Sequence, residues 1–600
     1  MRLQLCDGIK KSRIEHFAAA IFLTALALLY RPVMAAGFVS WAGITIFSEG
    51  LFVLLALGFI MLRWETFREI LKNTDWCAKI CLGILSAAAL LHWIMGEHYR
   101  PEYLGLSLFW GLIPVFGAVY RNDLERKLPV LLGFFWIFNC IVCILTETAT
   151  GEMFGITGNW NWSALLMTIS FPFAIRCLPP FCKGRKIYLA LMGLVTVILL
   201  YFLQSRAIVV SIAAAGGFWL FLKFRKFRIA MTVCGLLVLI AAAFAAFKIV
   251  PEKINNFLKK ELRVEYWKSA AELIRDVPAG VGAATFENAY IHYRSDEYFK
   301  HPHCAVREPH PHNELLYLTA VLGIGAGLAF LVWIIRALIG AVTEYDRGFM
   351  SRKRVLFLLC FIAVLCNSML DLTLHAWPTG ILGLLFFGMF AFPGKRIPET
   401  ASDTPANLIG KAIILLTFLF ALFNLIGTFC WEASSISISR MNTPAAKKYA
   451  KTALLFAPEI PNLIYRSANE MATRDRDFAL ELTERIQQSP WMDYAHIHGL
   501  KSLIYRQKGQ YEEAIRESLR EAELFPLQIR PIVDIAVLYG DLGVRDPEVY
   551  SKLNEELRTR IQKRNLTPEQ IQAIYRNPQY DMYPHKINLT AEPPRRWRLP

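Results

Sequence analysis

Charge is scarce in this chain. Only 19% of its 600 residues are Asp, Glu, Lys or Arg, while 55% are hydrophobic, which excludes an ordinary soluble globular protein. Inside the long apolar runs charge nearly vanishes, apart from Arg31, Arg336, Asp371 and a few residues at the edges. A transporter would be expected to line its pathway with charges, so this absence weighs against one. A disulfide framework is also missing. Most of the 12 cysteines lie within apolar runs or at their ends (Cys77, Cys81, Cys177, Cys182), and Cys304 stands alone in the one large polar loop. Nor is there a dinucleotide fingerprint, because GVGAATF (Gly280–Phe286) has no strand–turn–helix around it.

What is present is a series of apolar runs, each long enough to cross a bilayer core of about 30 Å. In lipid such runs must be helices, since every backbone N–H and C=O needs an internal partner. The expected fold is therefore all-α and polytopic. It has about thirteen spans, the first at 17–37, the last at 409–430, and others including 228–248, 314–342, 354–374 and 377–393. The basic head and small-residue end of residues 1–37 resemble a secretory signal. The many spans that follow favour an uncleaved first helix. Connections rich in Lys and Arg (RWETFRE, RNDLERK, KFRKFR, RGFMSRKR) alternate with connections that are poor in them. This puts the N-terminus and the basic loops in the cytoplasm. The net charge of +16 is then a product of membrane insertion, and no nucleic-acid partner is expected. The loop 249–313 and everything after residue 430 fall on the other side, the periplasm if the membrane is a bacterial inner membrane.

Composition changes after Trp431. GQYEEAIRESLREAELFP (Gly509–Pro526) has the Gly-x-Tyr-x-x-Ala turn and closing proline of a tetratricopeptide second helix, and the end of a degenerate copy stands near Ala450–Asn462. Glu521 departs from the alanine usual at its position. The expected organisation is a membrane domain over 1–430, a tetratricopeptide-like helical domain over 431–560 and a turn-rich tail over 561–600. Such repeats present a surface to a protein partner; the plainer alternative is a helical cap with no partner.

Several polar residues stand where spans meet the outer side. Asn159 and Asn161 open a span in GITGNWNWSALLM, as sugar- or anion-binding amides or as a plain helix cap beside interfacial tryptophans. Ser205 and Arg206 form the turn between two spans. An arginine there is a candidate for phosphate oxygens, or one that merely reaches for lipid headgroups. In the outer loop, residues 261–290 read as an amphipathic helix with Val264, Trp267, Ala271 and Ile274 on one face and Arg263 at its start, followed by a Pro-Gly-rich turn. Those glycines let backbone approach a ligand, or fold the loop back onto the membrane. The loop ends HPHCAVREPHPHN (His301–Asn313). A metal site would use His301, His303, Cys304, His310 and His312, but no carboxylate or second thiol completes a familiar set. The alternatives are an apolar approach decorated with histidines, or a site in which His312 accepts a proton from a hydroxyl or orients a phosphate.

The order and spacing of these pieces over 150–375 resemble the O-antigen ligase and O-antigen polymerase superfamily, which includes protein O-oligosaccharyltransferases. The run is GNWNWSALL before a span, SRAIVV after one, RVEYW with RDVPAGVGAATF downstream, and HPHNELLYLTAVLGIGAG at the loop exit. Ala207 stands where the family often has glycine, and the upstream HPHC is not part of the shared pattern. The resemblance implies a GT-C-type membrane glycosyltransferase moving glycan from undecaprenyl-diphosphate to lipid A-core, another glycan or a protein. No metal or other cofactor is implied. The implied catalytic residues are His312, Arg263 and Arg206, and the implied substrate contacts are Ser205, Asn159, Asn161, Asn313, Arg307 and Trp267. His310 is expected to be structural.

Overall fold

The computed structural model describes residues 41–95, 101–150, 153, 155–157, 159–177, 185–203, 205–231, 233, 262–295, 297–298, 310–371, 373–376, 378–392, 405–456, 460–489, 491–564 and 566–576. The expected span 17–37, most of 228–248, Arg307, the HPHC stretch and the tail beyond residue 576 lie outside them. Among the described residues the chain is helical, with no strand. Six helices are long and apolar enough to cross a membrane: Trp76–Met95, Arg121–Thr148, Lys186–Leu203, Arg206–Lys223, Ile324–Asp346 and Pro405–Ser439. A seventh span results if Gly50–Leu62 and Trp64–Asn73, bent by 89°, count as one. Two of the expected spans are shorter apolar helices, Leu104–Val119 and Thr379–Ala391.

The chain divides into two compact units. The first gathers described residues up to Lys248, Val277–Ala284 and His310–Asn424, and the second those of Ile249–Asp276, Thr285–Pro309 and Leu425–Pro600. At the centre of the first unit, Thr379–Ala391 is buried at every residue, as befits a helix that is apolar all round. Gly388 lets it approach Pro101–Val119 closely, since a Cβ there would stand 2.2 Å from the Pro114 carbonyl oxygen. The basic connections bond to acids on one another, with Arg63–Asp123 at 2.8 Å, Arg228–Asp346 at 2.6 Å and Arg354–Glu125 at 3.2 Å. They therefore collect at a common end of the bundle, as their alternation along the sequence requires.

The expected continuous span 314–342 is broken. Glu314–Leu322 ends at Gly323, whose φ of +90° only glycine adopts without strain, and Ile324–Asp346 begins directly after it. The Pro-Gly-rich turn closes on this break. Val281 N donates to Ala320 O and Gly282 N to Val321 O, both at 2.9 Å, while Ile324 N donates to Pro278 O at 3.0 Å. Backbone groups that a helix break would orphan in an apolar setting are thus satisfied by the loop. The glycine-rich turn thus closes on the broken helix itself.

In the second unit the outer-loop helix runs Leu262–Asp276, and its buried face is Leu262, Tyr266, Ser269, Ala270 and Leu273. This corrects the expected face of Val264, Trp267, Ala271 and Ile274, on which Ala271 is exposed. Tyr266 packs against Tyr298 and gives its carbonyl to the Tyr290 hydroxyl, so burial follows the aromatic partners on the next segment. The C-terminal region is a succession of helices joined by short turns. Between Ile497–Gln507 and Tyr511–Leu524, Ser502 and Ser518 meet at 2.6 Å, and Glu521 accepts from Gly499 N at 3.0 Å and contacts His496 Nδ1. Glu521 therefore bridges the two helices, where an alanine would only fill space. Within the expected tail, residues up to Arg564 and Pro568–Arg576 are helical.

Candidate active site

His312 lies in the turn that leads into Glu314–Leu322. Its φ of +51° is a left-handed conformation that a side chain adopts at a cost of about 1–3 kcal/mol, and it persists only where neighbours hold it. Asn313 supplies part of that hold as N-cap: its side-chain oxygen accepts from Leu316 N at 3.0 Å, and its amide donates to Met369 O at 3.0 Å. The turn is thereby tied to the segment after helix Arg352–Ser368. From that segment Asp371, 3% exposed at its side chain, places Oδ1 2.9 Å from His312 Nδ1. Asn161 Nδ2 donates to the other carboxylate oxygen at 3.2 Å. Asn159 caps its own helix, accepting from Asn161 N at 2.8 Å. The two asparagines of the expected pair thus divide, one to a cap and one to Asp371.

Asp371 is also linked to the helix that begins with Arg206. Asp371 N donates to Asn367 O, and the Asn367 side chain accepts from Thr373 Oγ1 at 2.6 Å and reaches Ser211 Oγ at 3.4 Å. Ser211 belongs to helix Arg206–Lys223. At the head of that helix Ser205 is buried, makes no side-chain cap, and has no hydrogen-bond partner for its hydroxyl among the described residues. Arg206 is exposed and forms no ion pair among the described residues. An unopposed guanidinium beside the first N–H groups of a helix is an arrangement that suits an anion.

A second polar cluster lies directly behind. Glu314 is fully buried; it accepts from Trp110 Nε1 at 2.6 Å, and His375 Nε2 stands 3.1 Å from the same oxygen. The His375 ring stacks on Phe109 and meets Trp110 and Tyr317 edge-on. His310 packs edge-on against His312 at 4.5 Å. Burial, and then the neighbouring His312, push the His310 pKa well below the ordinary 6.5, so it serves as a neutral wall.

Of the expected residues, the structure brings Asn161 and His312 to one carboxylate, ties Asn313 to the Met369 carbonyl near it, and links the Arg206 helix to the Asp371 segment through Ser211 and Asn367. Arg263 and Trp267 belong to the second unit, half-buried on Leu262–Asp276. The Trp267 indole N–H is buried with no hydrogen-bond partner among the described residues. Sequence reasoning missed Asp371, Glu314, His375 and Trp110 as members of the site. Asp371 did carry a signal, because an acid within an apolar run is a site hypothesis by default; Trp110 and His375 carried none.

No curated protein and no solved structure matches the chain. Residues 190–331, a segment that includes Arg206, Arg263 and His312, match the family model described as O-antigen ligase, so this membrane protein carries a domain of the O-antigen ligase superfamily, whose chemistry is of the glycosyltransferase type.

Proposed function

We propose that the chain moves a glycan from an undecaprenyl-diphosphate carrier to an acceptor hydroxyl at the periplasmic face of a bacterial inner membrane, acting as a ligase. The observation that carries this reading is the His312–Asp371 pair with Asn161 behind it. With its Nδ1–H donating a hydrogen bond to Asp371, the imidazole offers Nε2 as an acceptor. An acceptor hydroxyl bonded there loses its proton to Nε2 as its oxygen joins the anomeric carbon. The bond from that carbon to the diphosphate breaks, and its electron pair leaves on the phosphate oxygen. The buried carboxylate stabilises the imidazolium that results. Arg206 meets the charge on the departing diphosphate through its planar fork. Attack opposite the leaving group inverts the anomeric centre.

Arg263 enters on the resemblance and its charge. Ser205 and Trp267, each with a buried polar atom lacking a hydrogen-bond partner among the described residues, are candidates to meet donor or acceptor, together with Asn159, Asn161, Asn313 and Arg307. The test is transfer by purified protein from a native undecaprenyl-diphosphate glycan, offered lipid A-core, a carrier-linked repeat unit or an exported protein. A ligase uses the first of these, a polymerase the second and a protein O-oligosaccharyltransferase the third. Folded His312→Ala, Arg206→Ala and Arg263→Ala variants should each lose about a hundredfold or more in rate. Wild-type rates in the three would overturn the assignments, and loss of transfer in EDTA would return the histidine-rich stretch to the metal reading.

A further inference from the structure

The described outer-loop residues of Leu262–Asp276 and of 285–298 belong with the C-terminal helices to a single compact unit, and named contacts join them. Ile291, 7% exposed, packs into a cluster with Leu524 and Phe525 at the end of helix Tyr511–Leu524. Asn288 Oδ1 accepts from Asp493 N at 2.9 Å, and His292 Nε2 stands 3.3 Å from Asp493 Oδ2. Asp493 is a hub on the C-terminal side. His498 Nε2 reaches its Oδ1 at 2.8 Å, and Arg520 its Oδ2 at 3.4 Å. His498 is held from its other side by Glu517 at 2.6 Å, which also takes Lys501 at 2.6 Å. Both imidazole nitrogens face carboxylates, so both donate and the ring is charged. Burial alone would lower the His498 pKa, but hydrogen bonds and charge from Asp493 and Glu517 outweigh it and raise it to about 9. The surface under the loop is therefore a largely buried charged network with an apolar cluster beside it, a built interface and not an incidental touch.

The contacts continue into the loop itself. Tyr290, between Asn288 and Ile291, bonds to the Tyr266 carbonyl, and Ser295 bonds to Glu265 at 2.9 Å. Both of those acceptors lie on helix Leu262–Asp276, which also carries Arg263 and Trp267. We infer that the C-terminal helical domain works in cis: its partner at this face is the outer loop of the same chain, gripped at Asp493 and at Leu524–Phe525, and the grip fixes the helix that bears Arg263. This face of the C-terminal helices is taken by the chain's own loop. The consequence for transfer rests on the proposed function, whereas the docking itself does not.

The experiment uses the full chain in nanodiscs and follows amide hydrogen exchange beside glycan transfer. The loop-side double variant Asn288→Ala, Ile291→Ser leaves the C-terminal helices intact, and Asp493→Ala opens the hub from the other side. Exchange in the 286–295 segment should rise about tenfold or more in both, while helices Ile497–Gln507 and Tyr511–Leu524 keep wild-type protection in the loop-side variant. Transfer should fall several-fold with the fold retained. Unchanged exchange in 286–295 in both variants overturns the docking. A rise in exchange with undiminished transfer overturns its role in the reaction. If the wild-type protein transfers no glycan, the proposed function fails while the exchange result still decides the docking.

Discussion

His312 and Asp371 are 59 residues apart in the chain and 2.9 Å apart in space, Nδ1 to Oδ1. The contact is held at both ends. Asn313 binds the His312 turn to Met369 O, and Asn161 takes the far oxygen of Asp371. The His312 side chain is fixed at one nitrogen and is 24% exposed. For the general base proposed above, the side held by Asp371 sets the tautomer and Nε2 takes the proton.

In the proposed mechanism Asp371 is a positioning residue, and its variants should separate orientation from charge. Asp371→Asn keeps the shape but offers an amide where the imidazole needs a carboxylate, so the rate constant for transfer should fall by about a hundredfold to ten-thousandfold with little change in KM. Asp371→Glu should recover part of the loss, and the acidic limb of the rate–pH profile should move toward lower pH in Asp371→Asn, where the imidazolium has lost its stabilising charge. A rise in KM and a fall in kcat together with a lowered melting temperature would assign the residue to folding instead.

Glu314 and His375 tie the same two segments a second time, deeper in the protein. Removing the carboxylate with Glu314→Ala strands the Trp110 indole N–H, whose bond to Oε1 is 2.6 Å, in a fully buried setting. The cost should be about 1–3 kcal/mol, read as a fall in the thermal midpoint of the detergent-solubilised protein. Glu314→Gln keeps an acceptor for Trp110 and should lose less. Equal midpoints for the two variants would show that the hydrogen bond to Trp110 contributes nothing.

Much of this arrangement was legible from the sequence, and the exceptions have physical causes. The helices were legible because apolar length and backbone satisfaction in lipid leave no other structure, and the Arg206 turn because a lone polar pair between two apolar runs has one place to go. The break at Gly323 was not, since the apolar period runs straight through ELLYLTAVLGIGAGLAF. Only the docking of Val281 and Gly282 onto Ala320 and Val321 makes a break tolerable there. The buried face of Leu262–Asp276 was misjudged because side-chain apolarity ranked Val264 and Ile274 above Tyr266, while packing selects the aromatic that meets Tyr298 and Tyr290. Asp371 was noticed only as a stray charge, because its partners lie 59 and 210 residues away.

The charged network of the second unit gives a dependence on pH whose sign is fixed. The His498 pKa is raised from 6.5 to about 9. The stability this contributes is fully present below about pH 6.5 and is lost as pH rises through 9, with an upper bound of roughly 3 kcal/mol. Asp493 and Glu517 run the other way. Burial would raise both, yet the hydrogen bonds from His498 and its neighbours hold them below their ordinary values of 3.8 and 4.5. Their contribution is present above those values and lost as pH falls further. The network should therefore be strongest near pH 5–6.5 and should weaken between pH 7 and 9. The measurement is the thermal midpoint of wild type minus that of His498→Gln, followed over this range. The difference should be largest at the acidic end and shrink steadily toward pH 9. A difference that stays constant from pH 6 to pH 9 would mean that His498 is neutral in the folded protein, and that Asp493 and Glu517 face it as a neutral ring, not as a cation.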